Sequence, residues 1–455
     1  MKTKKTVKKS GLFSIFTQGD IFSKLSFIIM GISNIARKQI VKGLIYLAIE
    51  VGYIFYMVRS GFSNILEMRT LGTSGQGMVF DEAQGIYVIS QGDNSMLILL
   101  YGVATIVLTA VFFVIWAFSV RAGEEARQLK LNNKKVPNFI DEVKALFDYN
   151  IHKLILAVPL LGIITFTVTP LIYMILIAFT NYDAEHQPPG NLFTWVGLAN
   201  FKNLLSASGK LSSTFWPVLG WTFIWGFVAT FSCYFGGMFL AMLINSKGIG
   251  GKKVWRTFFV TTMAIPSFIT LLVVGTMLGK NGILNVLLLN WGFVSEPLPF
   301  LTNGLWAKIT VIVVNIWIGV PVTMLMVTGI LMNIPAELYE SAKIDGAGPF
   351  MAFRKITFPY MWFITTPYLI TNLIGNFNNF GVIYFLTGGN PTSINYYKGA
   401  GKTDLLVTWL YKLTNDTKDY NLASAIGIII FIISAAFSLI MYTRSGALKN
   451  EEGFQ

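Results

Sequence analysis

Residues 309–330 read ITVIVVNIWIGVPVTMLMVTGI, twenty-two residues without a single charge. As a helix rising about 1.5 Å per residue, such a run covers the roughly 30 Å of hydrocarbon in a bilayer. Two further stretches are as clean: LILLYGVATIVLTAVFFVIWAF at 97–118 and LASAIGIIIFIISAAFSLIMY at 422–442. Working outward from these three, the sequence predicts eight spans, at 39–59, 96–119, 154–179, 217–244, 257–278, 307–332, 360–386 and 421–442. Backbone in lipid must satisfy its own hydrogen bonds, which a helix does locally, and the segments are too long and too uniformly apolar for barrel strands. The predicted class is all-α, a polytopic membrane protein of about eight helices.

Composition agrees. Hydrophobic residues make up 54% of the 455 residues and charged residues 13%, against a usual charged share of about 25%. One soluble core cannot hide that much apolar surface. A soluble enzyme, a disordered chain and a disulfide-stapled secreted domain are excluded, the last because Cys233 is the single cysteine. The net charge of +13 is spread over short segments between the spans, so no basic domain is available for nucleic acid. With the N-terminus in the cytoplasm, inside segments hold 25 of the 35 Lys and Arg and outside segments hold 10. The positive-inside rule therefore predicts that both termini are cytoplasmic.

Five parts follow. Residues 1–38 are a cytoplasmic N-terminus in which FSKLSFIIMGI has the character of an interfacial helix. Residues 39–120 form a two-span front piece, 121–153 a cytoplasmic linker of short amphipathic helices, 154–442 a six-span core, and 443–455 a cytoplasmic tail. The first span lacks a cleavage pattern and is followed by more spans, so it is not a signal peptide. The polar 72–95 segment has room for a small hairpin at most.

Hydrolytic or redox chemistry has little to work with. His152 and His186 fall on opposite predicted sides of the membrane, and no His/Cys cluster, phosphate-binding loop or G-x-S-x-G elbow occurs. No catalytic residue and no metal site is expected. Glu50 is the one charge clearly within a span; it reads as a structural hydrogen-bond acceptor or as part of a proton path.

The water-side segment 333–359, NIPAELYESAKIDGAGPFMAFRKITFP, is the most informative. Pro335 suits a helix start, AELYESAKIDGA forms one short helix, and Gly346 stops it. Pro349 opens a second amphipathic stretch that runs to Pro359. Phe350, Phe353 and Ile356 recur every three residues and share a face. The expected shape is a helix–turn–helix elbow whose apolar face covers its own bundle, rests on headgroups, or takes a partner.

Glu340-Ser341-Ala342, Gly346 after three intervening residues, then Ile356-Thr357-Phe358-Pro359, resemble the cytoplasmic coupling loop of ABC-importer permeases. So do ILIAFTNYD at 175–183, FTWVGLANFKNLL at 193–205, IPSF at 265–268 and WIGVPVTMLMVTGILMNIPAELYESA at 317–342. GNFNNFGVIYFLTGGNP at 375–391 is similar to the larger, MalF-like maltose/maltodextrin permeases. The resemblance covers about 155–445 and implies the type I ABC importer permease fold. It implies no catalysis by this chain: ATP and Mg belong to two copies of a partner ATPase, which grips the elbow through Glu340, Ser341, Ala342, Gly346, Ile356 and Pro359. It also implies a second, MalG-like permease subunit and an extracellular sugar-binding protein, lipid-anchored in a Gram-positive-type cell. Ser341 and Phe358 replace the family's usual Ala and Leu. The link between the third and fourth spans is only about 37 residues, too short for the external domain of the enterobacterial member.

Sugar asks for amides and hydroxyls against its own hydroxyls, and apolar surface against its C–H faces. Asn372, Asn376 and Asn379 fall at spacings of four and three, on one helical face interleaved with Phe377, Phe380 and Tyr384. That stripe either lines a cavity or glues helices together through amide hydrogen bonds. The resemblance places Asn376 and Asn379 in the sugar site with Ser267, Ile318, Gly319 and Val322. Val322 and Met263 stand where the better-known maltose permease has Tyr, which loosens the analogy. A permease for another neutral oligosaccharide and an ion-coupled secondary transporter remain as alternatives.

Overall fold

In the computed structural model, residues 11–81, 85–246 and 248–444 are described. Packing divides the chain into two units, Met1–Val196 and Gly197–Gln455. The predicted tail 443–455 lies almost wholly outside the described residues.

The first unit holds three long apolar helices, Ile40–Glu67, Ser95–Leu131 and Ile151–Ile177. Asn94 starts the second by accepting hydrogen bonds from Met96 N and Leu97 N at 3.1 and 3.3 Å. Its 37 residues extend to about 56 Å, well beyond a bilayer's hydrocarbon. The stretch 121–131, expected in the linker, is therefore a continuation of this helix. Only Phe139–Phe147 is a separate amphipathic helix there, and Asn138 and Asp141 close its first turn as a capping box.

The N-terminal segment is not one interfacial helix but three short ones, Leu12–Gln18, Ile21–Leu25 and Ile32–Ile35. Polar bonds clamp it to the first two spans. Glu50 accepts from Met30 N at 2.8 Å, Ser119 Oγ accepts from Gly31 N at 3.1 Å, and Trp116 Nε1 donates to Phe27 O at 3.0 Å. Glu50 thus has the structural role that was one of its two readings. Arg37, buried, bonds both oxygens of Asp20 at 2.8 and 2.9 Å. Burial opposes the charge on Asp20, yet bonds from Ser23 and the Arg37 guanidinium hold its carboxyl below the usual range. The 72–95 segment contains the expected hairpin, Gly77–Asp81 paired antiparallel with Ile86–Ser90 in the register Val79↔Val88.

The second unit is organised around the helix Ser212–Asn245, which packs along Gly304–Leu331 and against Phe358–Phe377. Contact is close because Gly237 lies against Thr323 and Met324; a Cβ there would come within 2.6 Å of the Thr323 Cβ and 2.8 Å of the Met324 nitrogen. Two apolar clusters fill the unit. One joins Trp221, Trp225, Leu271, Val311 and Ile383. The other, nearer the 333–359 elbow, joins Tyr234, Met238, Met324, Val327 and Met361.

Among the described residues, six helices are long and apolar enough to cross a membrane, and one bent pair brings that to seven. This is fewer than the eight uninterrupted spans expected, for two local reasons. The 257–278 stretch is the bent pair, Lys252–Ala264 and Ser267–Met277, turned by 87°. Pro266 lacks an N–H and pushes Ile265 out of the helical region, to φ −88° and ψ 125°. The 360–386 stretch is divided at Asn378 and Asn379 into Phe358–Phe377 and Phe380–Thr387.

Residues 388–419 are bound tightly to the end of the central helix far from the elbow. Trp221 Nε1 donates to Thr403 O at 3.1 Å and Leu406 N to Thr222 Oγ1 at 3.0 Å. Asp404, fully buried, pairs with Lys412 at 2.7 Å. Burial pushes the Asp404 carboxyl above its ordinary range, and Lys412 pulls against that shift.

Candidate functional site

Two places in the second unit combine exposure with chemistry. The first is the elbow. Its leading helix, Ala336–Ile344, begins after Pro335. It ends where Gly346 takes φ +78° and Ala347 N donates to Ala342 O at 2.8 Å, the closure a left-handed residue permits. A Cβ on Gly346 would meet nothing within 4 Å, so backbone conformation and not space demands glycine here. Tyr339 OH and Thr357 Oγ1 share a hydrogen bond at 2.9 Å that ties the leading helix to the returning one.

The returning arm differs from expectation. It does not stop before a separate span: backbone from Pro349 to Phe377 is continuously helical, through a π-helical turn at Phe353–Thr357. Pro359 sits inside this run without ending it. The extra residue in the π turn shifts the helical phase. Phe350, Phe353 and Ile356 consequently separate: Phe350 is 75% exposed, Phe353 packs against the cluster around Met361, and Ile356 is half-buried. Ile344, Phe350 and Met351 remain uncovered, with Glu340 and Ser341 exposed beside them and Ala342 half-buried. Glu340 has no hydrogen bond or ion pair among the described residues.

The second place is the amide stripe, which is a connected ladder. Asn372 donates to Tyr368 OH at 2.9 Å. Asn376 donates to Asn372 Oδ1 at 2.8 Å and to Thr230 Oγ1 at 2.9 Å. Asn379 donates to Asn376 Oδ1 at 3.2 Å and accepts from Val382 N at 3.2 Å, capping the next helix. An asparagine amide has two N–H groups. Asn376 uses both within the protein; among the described residues Asn372 and Asn379 each keep one. All three are half-buried, and Asn378 is exposed. The ladder joins two helices through Thr230, the glue reading of its spacing.

The other sequence-assigned residues fall unevenly around it. Gly319 lies against Cys233, one helical turn from Thr230, so Gly319 and Asn376 reach adjacent turns of the central helix. Ile318 packs on the Trp225 cluster. Val322 is 44% exposed, and Ser267, in the first turn after the 87° bend, is exposed. No hydrogen bond among the described residues joins Ser267 or Val322 to the ladder. Sequence reasoning missed two partners. Tyr368 stands four residues before Asn372 and was legible from spacing. Thr230 is 146 residues from Asn376, and no local signal identifies it. No group of three or more His, Cys, Asp or Glu suited to a metal occurs among the described residues.

Residues 233–447 match the family profile described as "Binding-protein-dependent transport system inner membrane component". The chain is 33% identical to the Bacillus subtilis maltodextrin transport system permease protein MdxF, across 98% of each chain. It is 31% identical to the B. subtilis galactooligosaccharides transport system permease protein GanP, across 93% of this chain and 97% of that one. Among solved structures, a bacterial ABC transporter involved in import of the acidic polysaccharide alginate shares the fold. The TM-score is 0.55 at 22% identity, over 66% of this chain and 96% of that one.

Proposed function

This chain belongs to the membrane permeases of binding-protein-dependent ABC transport systems, and from that premise we propose that it forms half of the translocation path of a maltodextrin importer. It is a non-catalytic, multi-pass membrane subunit. Its partners in this reading are a second permease subunit, two copies of an ATPase that bind ATP and Mg, and an extracellular sugar-binding protein anchored by lipid. Both termini face the cytoplasm.

One observation carries the mechanism. The helix that starts in the elbow at Pro349 runs unbroken to Phe377 and so ends at the amide ladder. At about 1.5 Å per residue its 29 residues make a rod of roughly 43 Å. A partner that grips Ile344, Phe350 and Met351 on the water side displaces one end of this rod, and Asn376 at the other end moves with it. Closure of the ATPase is thereby converted into rearrangement of the sugar-facing donors. Tyr339 and Thr357 keep the gripped helix and the rod together, so force on one reaches the other. The donors suit a neutral sugar: amides are offered, and among the described residues no Lys or Arg bonds to the ladder to draw an anion.

The likeness to a galactooligosaccharide permease supports one second reading, a different neutral oligosaccharide as cargo. The test is the complete complex in proteoliposomes with a panel of sugars. Maltodextrin-stimulated ATP hydrolysis and uptake supports the first reading. Stimulation by galactooligosaccharides alone replaces it with the second. Uptake with no dependence on the ATPase defeats both.

A further inference from the structure

Beyond the ladder lies the short helix Phe380–Thr387. Ile383, Leu386 and Thr387 take its buried face. Phe380 and Tyr384, one turn apart, stand away from that face, their rings stacked at 4.6 Å and 22°. Tyr411, from the helix Leu406–Asn415, leans on both, at 4.9 Å from Phe380 and 5.1 Å from Tyr384. Asp416 follows at the C-terminal end of the helix that carries Tyr411. Tyr411 and Asp416 are exposed, and Phe380 and Tyr384 are half-buried.

Tyr411 and Asp416 belong to the link between the last two predicted spans, which the charge pattern assigns to the outer side, so the cluster opens toward water there. Its composition is that of a carbohydrate platform: rings for the C–H faces of a sugar, hydroxyls and a carboxylate for its hydroxyl groups. Its position fits the same occupant. Asn379, whose second N–H is open, caps the helix on which Phe380 and Tyr384 sit. A sugar chain lying on the rings thus meets the ladder at once.

We propose that Phe380, Tyr384 and Tyr411 form an additional sugar subsite that holds one ring of a neutral oligosaccharide next to the amide ladder. This rests on the oligosaccharide reading above. It adds that the path on this subunit is longer than the ladder, so the subsite favours longer chains over a disaccharide.

The test uses the full complex in proteoliposomes with binding protein at saturation. Wild-type uptake of maltose, maltotriose and maltotetraose is measured first, with the galactooligosaccharide series alongside. Failure of wild type to import any of these overturns both the reading and the subsite. Where wild type imports, Y411A and Y384A are compared with Y411F and Y384F, per assembled complex. The expected result is an uptake loss of about fivefold to tenfold for the tri- and tetrasaccharide in the alanine variants, the size of one aromatic contact. The disaccharide is affected less, and the phenylalanine variants keep most activity. Equal uptake in all variants, or an equal loss for every chain length, overturns the subsite and leaves the importer reading intact. So does a defect confined to co-purification of the second permease subunit, which makes the cluster a subunit contact.

Discussion

At Gly346 and Asn379 a single residue performs a task that its side chain or its lack of one makes possible. Gly346 at φ +78° has open space around it, so G346V strains the turn without a clash inside this chain. A β-branched residue resists the left-handed region by about 1–2 kcal/mol. The variant is expected to reach the membrane at normal levels while uptake falls and ATPase co-purification weakens. Normal uptake would sever the turn from coupling. Asn379 both caps a helix and presents an N–H. Serine is an equivalent cap without the amide, so N379S keeps the cap and removes both N–H groups, the open one and the one on Asn376: uptake is expected to drop about threefold to tenfold, the worth of one hydrogen bond, with stability lowered by no more than about 1 kcal/mol. Unchanged uptake in N379S, with destabilised N379A, would make Asn379 a cap and nothing more. Asp93 offers a pH test in the first unit. Hydrogen bonds from Ser74 and Thr73 backbone N–H groups hold its carboxyl below the usual range. A depressed acid contributes stability above the unfolded value of 3.8, and that contribution is lost as pH falls through the lower folded value. The protection of the Thr73 and Ser74 amides, corrected for intrinsic exchange, should hold at pH ~5 and fall only as pH drops through a value below 3.8; protection that is flat with pH would refute it.

At the scale of elements, the helix pair Ser212–Asn245 and Gly304–Leu331 depends on close approach at Gly237. Leucine there must displace Met324 backbone, which sits 2.8 Å from the Cβ position, and overpacking of this kind costs about 1–3 kcal/mol. G237L is expected to lower the melting temperature of the purified complex and reduce its yield. Gly248, whose Cβ would meet nothing, is the control. The rod from Pro349 to Phe377 makes a different demand, since its value lies in continuity. Its π turn was invisible in the spacing of Phe350, Phe353 and Ile356, because a phase shift leaves residue types unchanged and alters only where they point. The bend at Pro266 was legible as a proline inside a span; its 87° magnitude was not, since a missing N–H permits an angle and packing sets it.

For the whole molecule, the orientation is checked by labelling in a C233S background, Cys233 being the lone thiol. Ser208 and Gly348 are both exposed, on the two sides that the charge pattern assigns. S208C should react with an impermeant reagent in intact cells, and G348C only after permeabilisation; the reverse pattern would invert the membrane and with it the elbow. What the sequence determined by itself was everything that depends on composition and short spacing: an all-α membrane chain, a side preference written in Lys and Arg, an elbow announced by Pro335, Gly346 and Pro349, and amides brought onto one face by the helical period. Tertiary structure alone decided that Asn376 spends both N–H groups holding Thr230 and Asn372, and that the elbow's second arm is the near end of the rod. It also decided that Phe380, Tyr384 and Tyr411 meet. The reason is physical: helical period acts over a few residues and is printed in the chain, whereas contacts such as Thr230 with Asn376 arise only when distant helices dock and each polar group must find whichever partner the packing leaves beside it.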